Sequence, residues 1–245
     1  MAAHYIIMVI AEDDPDIEVE AAQIERGGVA MPAYYAAPRV SDARTPTIIM
    51  AMHLWGVNSE QRNTARRFAK CGFAIIVPNL YARFDAPDAD VVGTDAARFV
   101  PLARSLSPAT VEPDIAAATG WIKERFPQSK TAIAGFCMGG TMALVRTQGR
   151  SATFAAAAVW YGSLSGIDAA KVDVPIVASF GEKDSGIPLD AIEAFRAGLK
   201  VPHDIKVYPN ADHAFFDREG AAYDATAAED SWERAIGFLK SAMTI

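Results

Sequence analysis

Gly135-Phe136-Cys137-Met138-Gly139-Gly140 lies between two apolar runs, Thr131-Ala132-Ile133-Ala134 before it and Thr141-Met142-Ala143-Leu144-Val145 after it. The first run is short and unbroken, as in a strand buried on both faces, and the second continues with helical character to about Gln148. A strand that turns directly into a helix leaves little space for side chains at the bend. Glycines therefore flank Cys137, whose own backbone is expected to be strained. The bend presents the thiol at the head of the helix, where backbone N–H groups and the positive end of the helix dipole favour thiolate. The N–H of Met138 then points to where an oxyanion would form during acyl transfer. Small residues also gather at ordinary strand-helix turns, and a lone cysteine is commonly a buried structural residue. The bend acquires chemical meaning only through its flanking elements and through partners elsewhere in the chain.

Such a nucleophile needs a base and a carboxylate that orients the base, delivered from later strand ends in the order nucleophile, acid, histidine. Asp184 follows an apolar strand in Gly181-Glu182-Lys183-Asp184-Ser185-Gly186, with Glu182 as its nearest rival. His213 follows the next strand in Tyr208-Pro209-Asn210-Ala211-Asp212-His213-Ala214-Phe215. The histidine would hold the thiol proton and later activate water, while the carboxylate fixes its tautomer. Asp212 reads as a turn former, and His203 and His4 read as bystanders.

Outward from this centre the chain alternates strands and helices. Residues 17–24 and 28–36, separated by Gly27-Gly28, read as an antiparallel hairpin. Apolar runs at 47–52 and 73–77 read as buried strands around a helix over 58–70. A helix over 111–126 precedes the strand at 131–135, and the pattern continues with strands at 153–161, 175–180 and 204–208 and helices at 188–199 and 222–240. The expectation is a single α/β domain over 1–245, with a mostly parallel central sheet, an antiparallel N-terminal hairpin and helices on both faces. Residues 1–16 read as an arm or an extra edge element. Residues 79–110 form the one long connection, with a weak helical pattern around 94–106, and read either as a lid or binding loop or as a surface insertion carrying a helix.

Composition narrows the function classes. A chain of 245 residues that is 51% hydrophobic can bury a large core without disulfide or metal. The net charge of -7, with no Lys/Arg-rich run, gives no electrostatic support to nucleic-acid or membrane-surface binding, so small molecules are the expected partners. No apolar run approaches the roughly 18 residues of a membrane span, and the start lacks a basic leader, so a cytoplasmic protein is expected. Cys71 and Cys137 should lie at opposite ends of the sheet, too far apart to pair. No metal cluster or nucleotide loop is apparent, and no cofactor is expected. The oligomeric expectation is a monomer or homodimer. A redox-active thiol is a second reading, although it lacks a CxxC partner, and a non-catalytic binding module on the same fold is a third.

Taken together, these segments resemble the dienelactone hydrolase family, thiol-dependent hydrolases of the α/β-hydrolase fold that open an unsaturated lactone. The resemblance runs from about Gly28 to Lys240 and is carried by Trp55-Gly56-Val57-Asn58, Pro78-Asn79-Leu80-Tyr81-Ala82-Arg83, the Gly-Phe-Cys-Met-Gly-Gly bend, Tyr161-Gly162, Gly181-Glu182-Lys183-Asp184 and His213-Ala214-Phe215. It implies a carboxymethylenebutenolidase-type ester hydrolase acting on a small ester or lactone, with Cys137, Asp184 and His213 as the triad. It also implies Leu54 and Met138 as oxyanion donors, and His53, Tyr81, Arg83 and Asp217 as substrate-binding positions, with Arg83 gripping a carboxylate. The sequence departs from the family at two of these: His53 stands where members carry Glu, and Asp217 where they carry a second carboxylate-binding Arg. His53 and Asp217 are expected to pair with the charges exchanged, which would favour neutral substrates unless Arg218 supplies the missing cation. A charged His53 near Cys137 would further favour thiolate.

Overall fold

The computed structural model describes residues 9–149 and 152–244, which fall into two compact units, Val9–Lys130 and a second from Thr131 onward. In the first, β1 (Ile17–Arg26) and β2 (Val29–Pro38) form the expected hairpin in continuous antiparallel register. Gly27 and Gly28 both take positive φ, 57° and 84°, the backbone a two-residue hairpin turn demands and only glycine adopts without strain. β3 (Thr47–Ala51) and β4 (Ala74–Pro78) are buried at every position, which explains why they read as unbroken apolar runs. The strand order is β1-β2-β4-β3, antiparallel until the parallel β3/β4 pair.

Helix α1 (Ser59–Lys70) starts where Asn58 accepts the N–H of Gln61, and packs on β2 and β4. The connection after β4 is more ordered than its sequence suggested. It carries α2 (Ala89–Val92) and α3 (Ala96–Ser105), each begun by an aspartate cap, and leads into α4 (Pro108–Arg125) through a Ser107/Thr110 capping box. Phe99 of α3 is fully buried, edge-on to Trp55 at 5.6 Å and tilted against Tyr81 at 6.3 Å, and Asp90 ties the segment to Arg62 of α1.

Of the expected N-terminal arm, residues 1–8, including His4, lie outside the described residues. The remainder is anchored on α1: Ile10 is buried, its N–H donates to Asn63, Arg66 donates to its carbonyl, and Lys70 bridges Asp14 and Asp16.

The second unit is an uninterrupted parallel set, β5 (Thr131–Phe136), β6 (Ala156–Trp160), β7 (Ile176–Gly181) and β8 (His203–Tyr208), in sequential order. Helices α5 (Met138–Arg146), α6 (Leu189–Gly198) and α7 (Ala225–Met243) supply the crossovers and the final cover. Its core is aromatic. Phe136 stacks on Trp160 with ring centroids 4.4 Å apart, Phe216 leans on both, and Trp232 of α7 lies behind Phe216. Each such ring removed from water contributes about 1.5–3 kcal/mol, and the indole N–H of Trp160 is satisfied by Ser231 at 3.0 Å. Among the described residues, no helix is long and apolar enough to cross a membrane.

Candidate active site

The bend after β5 has the strain its sequence predicted. Cys137 sits at φ 52°, ψ -120° as the residue before α5, a conformation costing on the order of 1–3 kcal/mol that the surroundings must impose. Its N–H is fixed by the carbonyl of Trp160 at 3.0 Å. A Cβ on Gly135 would overlap the carbonyl of Gly139, and one on Gly162 would come within 2.6 Å of the Gly140 backbone. The bend is thus pressed between its own helix and the loop after β6. Cys137 remains partly accessible, whereas Cys71 is buried; both are free thiols.

Two further loops meet the thiol. His213 places Nε2 3.1 Å from Cys137 Sγ, and its Nδ1 lies 2.6 Å from Asp184 Oδ2. Asp184 is sealed, with 3% of its side chain exposed against 42% for His213, and its other oxygen accepts the N–H of Gly186 at 2.9 Å. The loops after β7 and β8 are joined backbone to backbone: Glu182 and Lys183 donate to the carbonyls of Tyr208 and Ala211, and a Cβ on Gly181 would lie 2.6 Å from that Ala211 oxygen. Glu182, the rival carboxylate, accepts the N–H of Asn210 instead. Asn210 and Ala214 both take positive φ, turning the chain on either side of the histidine. The ring of Tyr161 lies 5.1 Å from that of His213, and Phe215 packs edge-on beneath Tyr161.

Burial by itself would push His213 down, but its hydrogen bonds to Asp184 and Cys137 outweigh that and raise it from 6.5 to about 10. The ring is therefore an imidazolium at neutral pH, donating to the carboxylate on one side and to sulfur on the other.

The remaining candidates are engaged by neighbours within their own compact units. His53, just past β3, is buried, and desolvation pushes it down to about 4 against weak opposing contacts with its own backbone and the Asn58 side chain. A neutral His53 exerts no cationic pull on a thiol. Its Nδ1 accepts the N–H of Trp55 at 3.2 Å, and its Nε2 makes no hydrogen bond within normal distance. Asp217 uses its carboxylate locally, accepting the N–H of Glu219 at 3.0 Å. Arg218 has one guanidinium nitrogen buried without a partner. Leu54 sits in the turn after His53, its carbonyl accepting the Tyr81 hydroxyl at 2.9 Å. Arg83 is tied to α4, donating to the carbonyl of Thr110 at 3.1 Å and pairing with Asp114. Asp114 is fully buried and shared with Arg26 at 2.9 Å. Nothing in the local sequence marked Asp114, since a single aspartate on a helix ordinarily faces solvent.

A family model for the dienelactone hydrolase family matches residues 31–243. The chain is 29% identical to a provisionally named carboxymethylenebutenolidase of Escherichia coli strain K12, covering 95% of this chain and 90% of that one. It is 31% identical to a protein of the same provisional name from Yersinia pestis, over 86% of this chain and 84% of the relative. Among solved structures, a provisionally assigned dienelactone hydrolase of Klebsiella pneumoniae superposes with a TM-score of 0.82 at 29% identity, over 91% of this chain and 98% of that one. A dienelactone hydrolase-like promiscuous phosphotriesterase from metagenomic libraries shares the fold, with a TM-score of 0.77 at 22% identity, over 92% of this chain and 98% of that one.

Proposed function

Because this chain belongs to the dienelactone hydrolase family, a family of hydrolases with the α/β-hydrolase fold, we propose that it cleaves an ester or lactone through Cys137 by way of a thioester acyl-enzyme. The observation that carries this reading is the continuous chain from Sγ through the imidazole to a buried carboxylate, 3.1 Å and then 2.6 Å long, starting from a strained and accessible cysteine.

His213, raised by its contacts with Asp184 and Cys137, carries the proton when sulfur attacks as thiolate. Sulfur donates an electron pair to the acyl carbon, and the N–H of Met138, at the head of α5, hydrogen-bonds the oxyanion. The bond from the acyl carbon to the leaving oxygen breaks as His213 gives that oxygen its proton. In a lactone the leaving hydroxyl stays attached to the acyl chain. His213, now neutral, takes a proton from water; the water oxygen attacks the thioester, the C–S bond breaks, and the acid leaves with thiolate and imidazolium restored. Asp184 holds Nδ1–H throughout, so Nε2 always faces the reacting atoms.

p-Nitrophenyl acetate tests the reading. Turnover should fall at least about 10³-fold in Cys137→Ala and after treatment with iodoacetamide, which should modify Cys137 in preference to buried Cys71. Mass spectrometry on acid-quenched enzyme should find an acetyl group on Cys137. Undiminished turnover in Cys137→Ala, or binding of esters without hydrolysis, would remove the proposal.

A further inference from the structure

β8 ends the strand order, and its register on β7 settles which of its backbone groups are already used. The N–H of Ile176 donates to the carbonyl of Pro202 and that of Glu182 to the carbonyl of Tyr208, so the even-numbered residues of β8 turn their backbone groups toward β7. His203, Ile205 and Val207 turn theirs outward. Among the described residues, the hydrogen bond made to this outward row comes from Arg196 of α6, which donates to the carbonyl of Ile205 at 3.1 Å. A carbonyl oxygen has a second lone pair, so the row remains open to a further strand. Such a row is a template for pairing with another chain.

The side chains say which strand fits. On the face toward α7, Asp204 pairs with Arg234, and Lys206 pairs with Asp230 at 2.8 Å. Asp204 and Lys206 still expose 45% and 42% of their side chains, so each can take a second partner. A second copy of β8 laid antiparallel must be related by a twofold axis, and charge decides where that axis falls. An axis at Asp204 or at Lys206 would set that residue against its own copy, a like-charge pair. An axis at His203 or Val207 would leave half of the strand or more without a counterpart. An axis at Ile205 faces Asp204 with the second copy's Lys206, and Lys206 with its Asp204. Charges then alternate across the junction, from Arg234 to Asp204 to the second copy's Lys206 and its Asp230. On the opposite face the half-buried Ile205 meets its own copy.

We propose that the outer edge of β8 pairs antiparallel with β8 of a second copy of this chain, about a twofold axis at Ile205, joining two sheets in a homodimer. The inference is independent of the catalytic reading. The paired segment is short, so the dimer is a reversible one that dissociates on dilution.

Sedimentation velocity on the full chain, from about 1 µM to about 1 mM, tests the pairing, and the sedimenting species should pass from one chain mass to two. Ile205→Pro removes an N–H that faces outward in the single chain, a position where an edge strand tolerates proline. It should weaken the dimer at least about tenfold, because one bond is lost from each copy. Charge supplies a second test that does not depend on how proline is accommodated. Asp204→Lys places like cations across the axis and Lys206→Asp like anions, so each variant alone should dimerise about tenfold more weakly than the wild type. Mixed together, with one of them carrying a fluorophore, the two variants are complementary and should form a mixed dimer about tenfold tighter than either forms alone. A single chain mass throughout the range, a dimer of unchanged affinity in Ile205→Pro, or a mixture that associates no better than its two components would overturn the proposal. The charge variants leave the backbone row intact, so they decide the matter even where the proline variant misfolds.

Discussion

His53 and His213 each follow a strand end, yet their surroundings drive them to opposite protonation states. At His213 a sealed carboxylate and a sulfur atom both accept from the ring, and these contacts raise it to about 10 despite burial. At His53 the ring is buried and its contacts with its own backbone and the Asn58 side chain are weak, so desolvation prevails and the group falls to about 4. The balance of the two effects decides the outcome: acceptors favour the charged imidazole and burial opposes it, and the acceptors win at His213 whereas burial wins at His53. At neutral pH one histidine is therefore charged and the other is not.

Mutation should expose this difference most strongly in turnover. His213→Gln should lower kcat/KM for p-nitrophenyl esters by about 10³- to 10⁴-fold, because the proton relay is gone, while His53→Gln should change it less than about tenfold. Comparable losses at the two sites would break the contrast. Asp184→Asn comes next, at about 10²- to 10⁴-fold, since the amide can no longer hold Nδ1–H. The same substitution should move the alkaline limb of the activity profile well below pH 10, and an unmoved limb would mean that Asp184 does not set the histidine's charge.

A structural check on how the His213 loop is held comes from Gly181→Ala. Its Cβ would be driven against the Ala211 carbonyl, and chemical denaturation should register a loss of about 1–3 kcal/mol, accompanied by reduced turnover as the acid and base loops separate. The smallest effects should appear in stability against pH, where the two histidines act on opposite limbs. His213, raised in the folded state, contributes stability that is full below about 6.5 and is lost as pH rises through about 10. His53, lowered in the folded state, leaves stability intact above about 6.5 and erodes it as pH falls through about 4. Denaturation midpoints across pH should thus show His53→Gln flattening the acid limb and His213→Gln the alkaline one. Exchange of those two assignments would contradict the geometry.

Much of this was legible in the chain itself. Strands such as 47–51 and 131–136 declare themselves because full burial favours apolar residues, and Gly135 and Gly140 mark a bend that leaves no room for a Cβ. The order Cys137, Asp184, His213 could be read because each lies just past a recognisable strand. Helix α3 was only faintly visible and α2 not at all: both are short, Pro101 lies inside α3, and Phe99 is the one buried residue of that helix. The ion pair of Arg83 was hidden for a related reason. Its partner Asp114 sits on α4, and no sequence pattern reveals that a helix presents a buried aspartate to it.

The amino-acid order alone set Cys137, Asp184 and His213 each just past a strand end, because those placements depend on local backbone geometry and on residue type. Tertiary structure decided which groups carry charge. The protonation of His53, His213 and Asp114 depends on the solvent removed and the partners brought close by segments far apart in the chain, and those energies exist only once the fold has closed around them.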